Sequence, residues 1–325
     1  MNRKAMAEEQ FRWIFILVAG ALILGFFTSI VIKQKQAQED AISAAELQNM
    51  EFLMANAKVA TGSANEIELA QDINFDCNSI RIGRLSKQTK EPIFAPELLK
   101  GRNLVTWSLD WNMPYRATNL LFLTTDEARY VFVYDEDKYA SSSSYQKFVD
   151  ELYSKFPDKM NKEKVSNKES ISDKNNYKTR IVLLDASIAL PTFKGVSSMT
   201  IKGTDLEKGE IQFGGQSYHY IGLPALYAAI FSEDKENYEC AMDKAFKKLK
   251  LASSVYSEKI EELGSIQVYE CQTHYTDSNV AISTILGADV ATLKNDNWAT
   301  GLFGAISAMK NYNNELIKLS CPPIY

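Results

Sequence analysis

WIFILVAGALILGFFTSIVI, residues 13–32, is a run of twenty residues without a charge. As a helix rising 1.5 Å per residue it measures about 30 Å, the thickness of a bilayer's hydrocarbon core. It exceeds the apolar core of a secretory signal, and Lys33, Gln34, Lys35 and Gln36, which suit a cleavage site poorly, follow it at once. The run reads as a retained, single-pass anchor whose partner is the lipid bilayer. Arg3, Lys4 and Arg12 precede it and Lys33 and Lys35 follow. The positive-inside rule then puts residues 1–12 in the cytoplasm and the bulk of the chain outside the cell membrane. Within the span Ala21, Gly25 and Ser29 recur every four residues. Small residues at that spacing form a stripe on which a second helix can pack, so self-association through the span is an expectation.

Outward from the anchor, residues 33–60 lack Gly and Pro and are rich in helix formers, which predicts a helical stalk. Leu47, Met50, Leu53, Met54 and Ala57 share one side of its far half, which suits docking on a head domain. A coiled coil with Ile42, Asn49 and Asn56 at a-type and Ala45, Phe52 and Val59 at d-type positions is the alternative, but that frame is short and half polar.

The remainder, with 46% hydrophobic residues and 11% aromatics in the whole chain, is rich enough to build a packed body. The net charge of −5 and the lack of a basic stretch interleaved with aromatics argue against nucleic acid as a partner. Binding or assembly with other envelope proteins is the function class left by this topology.

Alternating apolar residues predict strands at Ile67–Leu69 and at Ile73, Phe75 and Cys77. Residues 83–117, with Pro92, Pro96 and Pro114, read as irregular, with Trp107 and Trp111 as packing residues. Residues 119–124 and 128–134 are clear strands, 145–156 a helix and 178–184 a buried strand. Residues 157–177, polar and without an apolar period, read as a loop. A hairpin is expected at 198–202 and 210–213. After Gly222, residues 223–231, 238–263, 279–293 and 298–319 carry helical spacing. The expected fold is thus α/β: an anchor (13–32), a stalk (33–60), an extracytoplasmic α/β domain (61–222) and a helical C-terminal region packed on it (223–325). The order strand–helix–strand over 128–184 predicts a βαβ unit with parallel neighbouring strands.

A membrane helix running into an amphipathic stalk and a β-containing head resembles type IV pilins. Arg3-Lys4-Ala5 followed by Glu8 and Glu9 is similar to their processing region. The resemblance is confined to residues 1–60; the helical last quarter departs from that architecture, and no assignment is based on it.

The four cysteines, Cys77, Cys240, Cys271 and Cys321, all lie beyond the anchor, and an even count in an exported domain suggests disulfides. Helices running up, down and up over 238–319 would bring Cys271 and Cys321 to one end, leaving Cys77 to pair with Cys240. Chemistry-bearing residues are sparse. The two histidines, His219 and His274, are isolated among tyrosines, and Cys271-x-x-His274 offers at most half a zinc site. The best lead is Asp135 and Asp137 after one strand of the βαβ unit and Asp185 after the other. Ligands bind beyond the carboxyl ends of parallel strands, and clustered carboxylates there suit Mg²⁺ or Ca²⁺. A membrane-tethered, metal-dependent hydrolase is therefore the competing function, and turn or helix-cap roles for the same aspartates are the plain alternative.

Overall fold

A computed structural model describes residues 3–57, 61–169, 171, 178–189, 196–265, 269–295, 297 and 301–325. Helix α1 (Arg3–Ala57) is unbroken for 55 residues. It carries the anchor and runs straight on into the stalk, because no Gly–Pro punctuation interrupts it after the span. Every residue of 13–32 except Ala19 is exposed, as expected of side chains that face lipid. The stalk's far end docks on the head: Met50 is buried, and Leu47, Leu53 and Met54 pack beside it. Ile42 and Phe52, on the coiled-coil frame, stay exposed. Glu46 Oε1 accepts hydrogen bonds from the backbone of Ala70 at 2.5 Å and Gln71 at 3.1 Å, which fixes the helix against the head.

The head begins with short strands β1 (Asn65–Glu68), β2 (Ile73–Asp76), β3 (Ser79–Ile82), β4 (Leu85–Gln88), β5 (Ile93–Phe94) and β6 (Leu98–Leu99). Long strands β7 (Asn103–Asn112) and β8 (Arg116–Thr125) follow. The expected irregular stretch 83–117 is therefore corrected to β-structure. β7 is buried on both faces, so its sequence lacks the apolar–polar alternation that betrays a half-exposed strand. A sheet of order β1-β7-β8-β5 forms the middle layer. One side packs Leu104, Leu121 and Leu123 against the β4-β3-β2-β6 sheet and α1. The other side turns Trp107, Trp111 and Phe122 into the main core.

Strand β9 (Ala128–Tyr134) leads through α2 (Glu136–Ser141) and α3 (Ser143–Lys155) to β10 (Asn161–Ser166), then β11 (Lys178–Leu183). Next come β12 (Val196–Lys202), β13 (Lys208–Phe213) and β14 (Gln216–Ile221). They form one six-stranded sheet of order β10-β9-β11-β12-β13-β14. β9 and β11 are parallel neighbours, as expected, yet the crossover helices serve β10 on the far side of β9. Residues 161–166 are thus a strand and not a loop. At a sheet edge a strand keeps one side in water, and NKEKVS buries only Val165 and Ser166. The remainder of that expected loop lies partly outside the described residues. Strand β14, which closes the sheet beyond the expected hairpin, went unread.

Helices α4 (Leu223–Phe231), α5 (Lys235–Gly264), α6 (Tyr269–Gly287) and α7 (Leu302–Lys318) complete the fold, with a 3-10 turn at Val290–Lys294. α6 starts about three turns earlier than its periodicity predicted. Its first three turns carry Cys271, His274 and Tyr275 among polar residues, and the apolar period there is too sparse to announce a helix. Cys271 bridges to Cys321 and Cys77 to Cys240, each pair with Cα atoms 6.0 Å apart. Cys271 opens α6 and Cys321 follows α7, so antiparallel packing brings both to one end.

Among the described residues one helix, near the N-terminus, is long and apolar enough to cross a membrane, and together with the two disulfides it is compatible with a membrane-anchored extracellular domain.

Candidate functional site at the ends of the parallel strands

From β9 the chain leaves toward β10; from β11 it leaves the opposite way, toward β12. The carboxyl ends of β9 and β11 therefore flank a topological switch point, the position at which open α/β sheets commonly bind ligands. Leu184 N donates to Val133 O at 2.9 Å just beneath it, holding the two strand ends together.

Asp135 and Asp185 meet there. Asp135 caps α2: its Oδ1 accepts from Lys138 N at 2.9 Å, and its own N–H donates to Tyr145 Oη at 3.0 Å. Asp185 Oδ1 accepts from the backbone N–H of Ser187 at 2.8 Å. Ser187 Oγ lies 2.6 Å from Asp185 Oδ1 and 3.2 Å from Asp135 Oδ2, so its single proton serves one carboxylate at a time. Lys138 Nζ reaches back to Asp185 Oδ2 at 2.6 Å. Asp137 points outward and pairs with Lys168 Nζ at 2.7 Å. Asn167 Oδ1, beyond β10, accepts from Glu136 N at 3.1 Å and fastens the α2 start to the neighbouring strand end.

Two lysines, Lys138 and Lys168, stand there against the carboxylates of Asp135, Asp137 and Asp185. Partial burial pushes the Asp185 carboxyl up, but hydrogen bonds from Lys138 and Ser187 outweigh it and hold the group below the usual carboxylate range. The hydrogen bond to Asp137 pushes the Lys168 ammonium up. Burial raises the Tyr145 phenol to about 12, so it stays protonated.

Of the three aspartates expected to cluster, the fold unites Asp135 and Asp185 and turns Asp137 away to Lys168. Among the described residues no group of three His, Cys, Asp or Glu is placed to hold a metal. Cap and turn bonds account for Asp135 and Asp185. Lys138, Ser187, Tyr145 and Lys168 escaped the sequence reading. Two of them carry a local signal: Ser187 stands two residues after Asp185, and Lys138 three after Asp135, the spacings of an Asx turn and a helix cap.

The remaining candidates are placed as follows. Cys271 is consumed by its disulfide and is no zinc ligand. His274 packs near the Tyr312 ring, with centroids 6.3 Å apart. Ala21, Gly25 and Ser29 lie on an exposed part of α1, and nothing comes within 4 Å of where a Cβ on Gly25 would stand. Comparison of the chain with known protein families, with curated proteins and with solved structures finds no match.

Proposed function

We propose that this chain is a single-pass membrane protein, N-terminus in the cytoplasm, whose extracytoplasmic head acts in binding or assembly at the cell envelope. The observation that carries the reading is the continuity of α1: one helix joins the exposed apolar span to the core of the head. A stiff connection of this kind sets the distance and attitude of the head above the bilayer, which matters to a protein that presents a surface to partners. The surface at the switch point, where charged side chains from α2 and from just beyond β10 and β11 meet, is the one we assign to a ligand. Protease added outside intact cells is expected to digest the head while sparing the span. Protection of residues 61–325 until lysis would overturn both the orientation and the envelope role.

The competing reading, a Mg²⁺- or Ca²⁺-dependent hydrolase, needs an open set of carboxylates. Lys138 already neutralises Asp185, and Asp137 is paired outward. Millimolar Mg²⁺ or Ca²⁺ should therefore leave the melting temperature of the full chain in detergent unchanged. A rise of several degrees that disappears in Asp185→Asn would establish the cation site instead.

A further inference from the structure

The opposite end of β11 holds a second polar site, buried and unrelated to the switch point. Strand KTRIVL places an arginine, Arg180, on the face that packs against α4. Only 5% of its surface is exposed. Two of its nitrogens donate to carbonyls at and beyond the C-terminal end of α4, Nη2 to Ala229 O at 3.1 Å and Nη1 to Glu233 O at 3.0 Å. Its guanidinium carbon stands 5.6 Å from the centre of the Phe213 ring. The third nitrogen, Nε, is buried and has no partner among the described residues. Register sets Ser197 of β12 directly beside Arg180, and Ser197 Oγ is likewise buried without a partner among them.

Both groups line one small cavity, closed in part by Pro96, Tyr130 and Ile230, with about 10 Å³ for the centre of an occupant. That is room for one water-sized body. The charge around it is uneven. Lys178 pairs with Glu233, and Arg129 with Glu163. Arg180 makes no ion pair with a carboxylate among the described residues; the α4 carbonyls it meets carry only the partial negative charge of a helix end. Burial pushes its pKa down to about 10. Glu233, which also lines the cavity, and Asp234 offset part of this charge from beyond ion-pair distance, but Arg129, Lys178 and Arg180 outnumber Glu233 in the lining, and a buried N–H that can only donate is costly without an acceptor.

We propose that this cavity binds a single monoatomic anion, chloride, held by Arg180 Nε–H and Ser197 Oγ–H. A water would accept the same two bonds without adding negative charge to a lining with three cationic side chains and one carboxylate. Polyatomic anions are too large for the space. The site would join β11, β12 and the end of α4 through one ion.

The test uses the full chain in detergent. At matched ionic strength the melting temperature is expected to be higher in sodium chloride than in sodium gluconate, rising to a plateau as chloride increases. Ser197→Ala keeps both carbonyl bonds of Arg180, so the variant folds. It is expected to need roughly tenfold more chloride for the same rise, the effect of one hydrogen bond to a charged group. Crystals grown in bromide should give an anomalous peak between Arg180 and Ser197. Equal melting temperatures in the two salts with no bromide peak would mean that water alone fills the cavity. A chloride response unchanged by Ser197→Ala, again with no peak, would place the anion effect on the surface. Either result overturns the proposal.

Discussion

Replacing Cys77 and Cys240 together by serine is expected to lower the unfolding free energy of the head by about 5 kcal/mol in the chain-entropy model, given the 163-residue separation. The bridge ties the end of β2 to α5, and so the small sheet under the stalk to the main core. Its neighbours reinforce the same joint. Lys244 Nζ donates to the carbonyl oxygens of Cys77 and Thr89, and Lys248 pairs with Glu91. Those contacts survive in the folded double mutant, so the effect falls chiefly on the unfolded chain, which is freed of a closed loop spanning more than half of the head. Removal of Cys271 and Cys321 releases a 50-residue separation and should cost about 4 kcal/mol, slightly less. Guanidinium unfolding of the full chain in detergent measures both. A loss below about 1 kcal/mol for the Cys77–Cys240 pair would mean that the lysine contacts alone hold the small sheet in place, or that the unfolded chain stays compact there.

The parts of this fold that were legible in the sequence share one property: their physical cause is local. The span announces itself by twenty uncharged residues, and α1 continues because nothing in residues 33–57 stops it. β9 and β11 are rich in apolar and β-forming residues, and the helix that follows β9 announces a parallel sheet, although it leads first to β10. The parts that were not legible are set by distant neighbours. β7 loses its alternation because the small sheet covers one of its faces and α4 and α5 of the main core cover the other. β10 reads as a polar loop because an edge strand needs only its backbone and two inward side chains to join a sheet. At the switch point, the aspartates stand where a parallel sheet puts them, while the lysines that pair with them come from α2 and from beyond β10. Arg180 did carry a sequence signal, a lone arginine in a run that otherwise reads as buried strand. Such a residue must find its partners inside the protein. The identity of those partners, the carbonyls at and beyond the end of α4, depends on tertiary packing, which no local pattern specifies.

Substituting Met50 by aspartate should detach the stalk from the head without unfolding the head. Met50 is 2% exposed and belongs to one small apolar core with Ile73, Ile80, Ile82 and Leu99, where a new carboxylate would be buried. Deleting a buried methionine side chain costs about 2–5 kcal/mol, and burying a charge adds to that, so the docked arrangement should be lost. The main core around Trp107, Trp111 and Phe122 is a separate cluster on the other side of the β7–β8 layer. The near-ultraviolet circular dichroism of the tryptophans should therefore persist, while protease gains access to residues 43–57. Phe52→Asp is the control: two residues further on, about 200° round the helix, Phe52 is 67% exposed and should tolerate the charge. Unchanged protease resistance in Met50→Asp would show that the Glu46 bonds to Ala70 and Gln71 suffice for docking. Loss of the tryptophan signal would show instead that α1 is an obligatory part of the head's core. If the expected result holds, the rigid mounting of the head on its anchor rests on one methionine-centred contact, and weakening it changes the presentation of the switch-point surface while that surface itself stays intact.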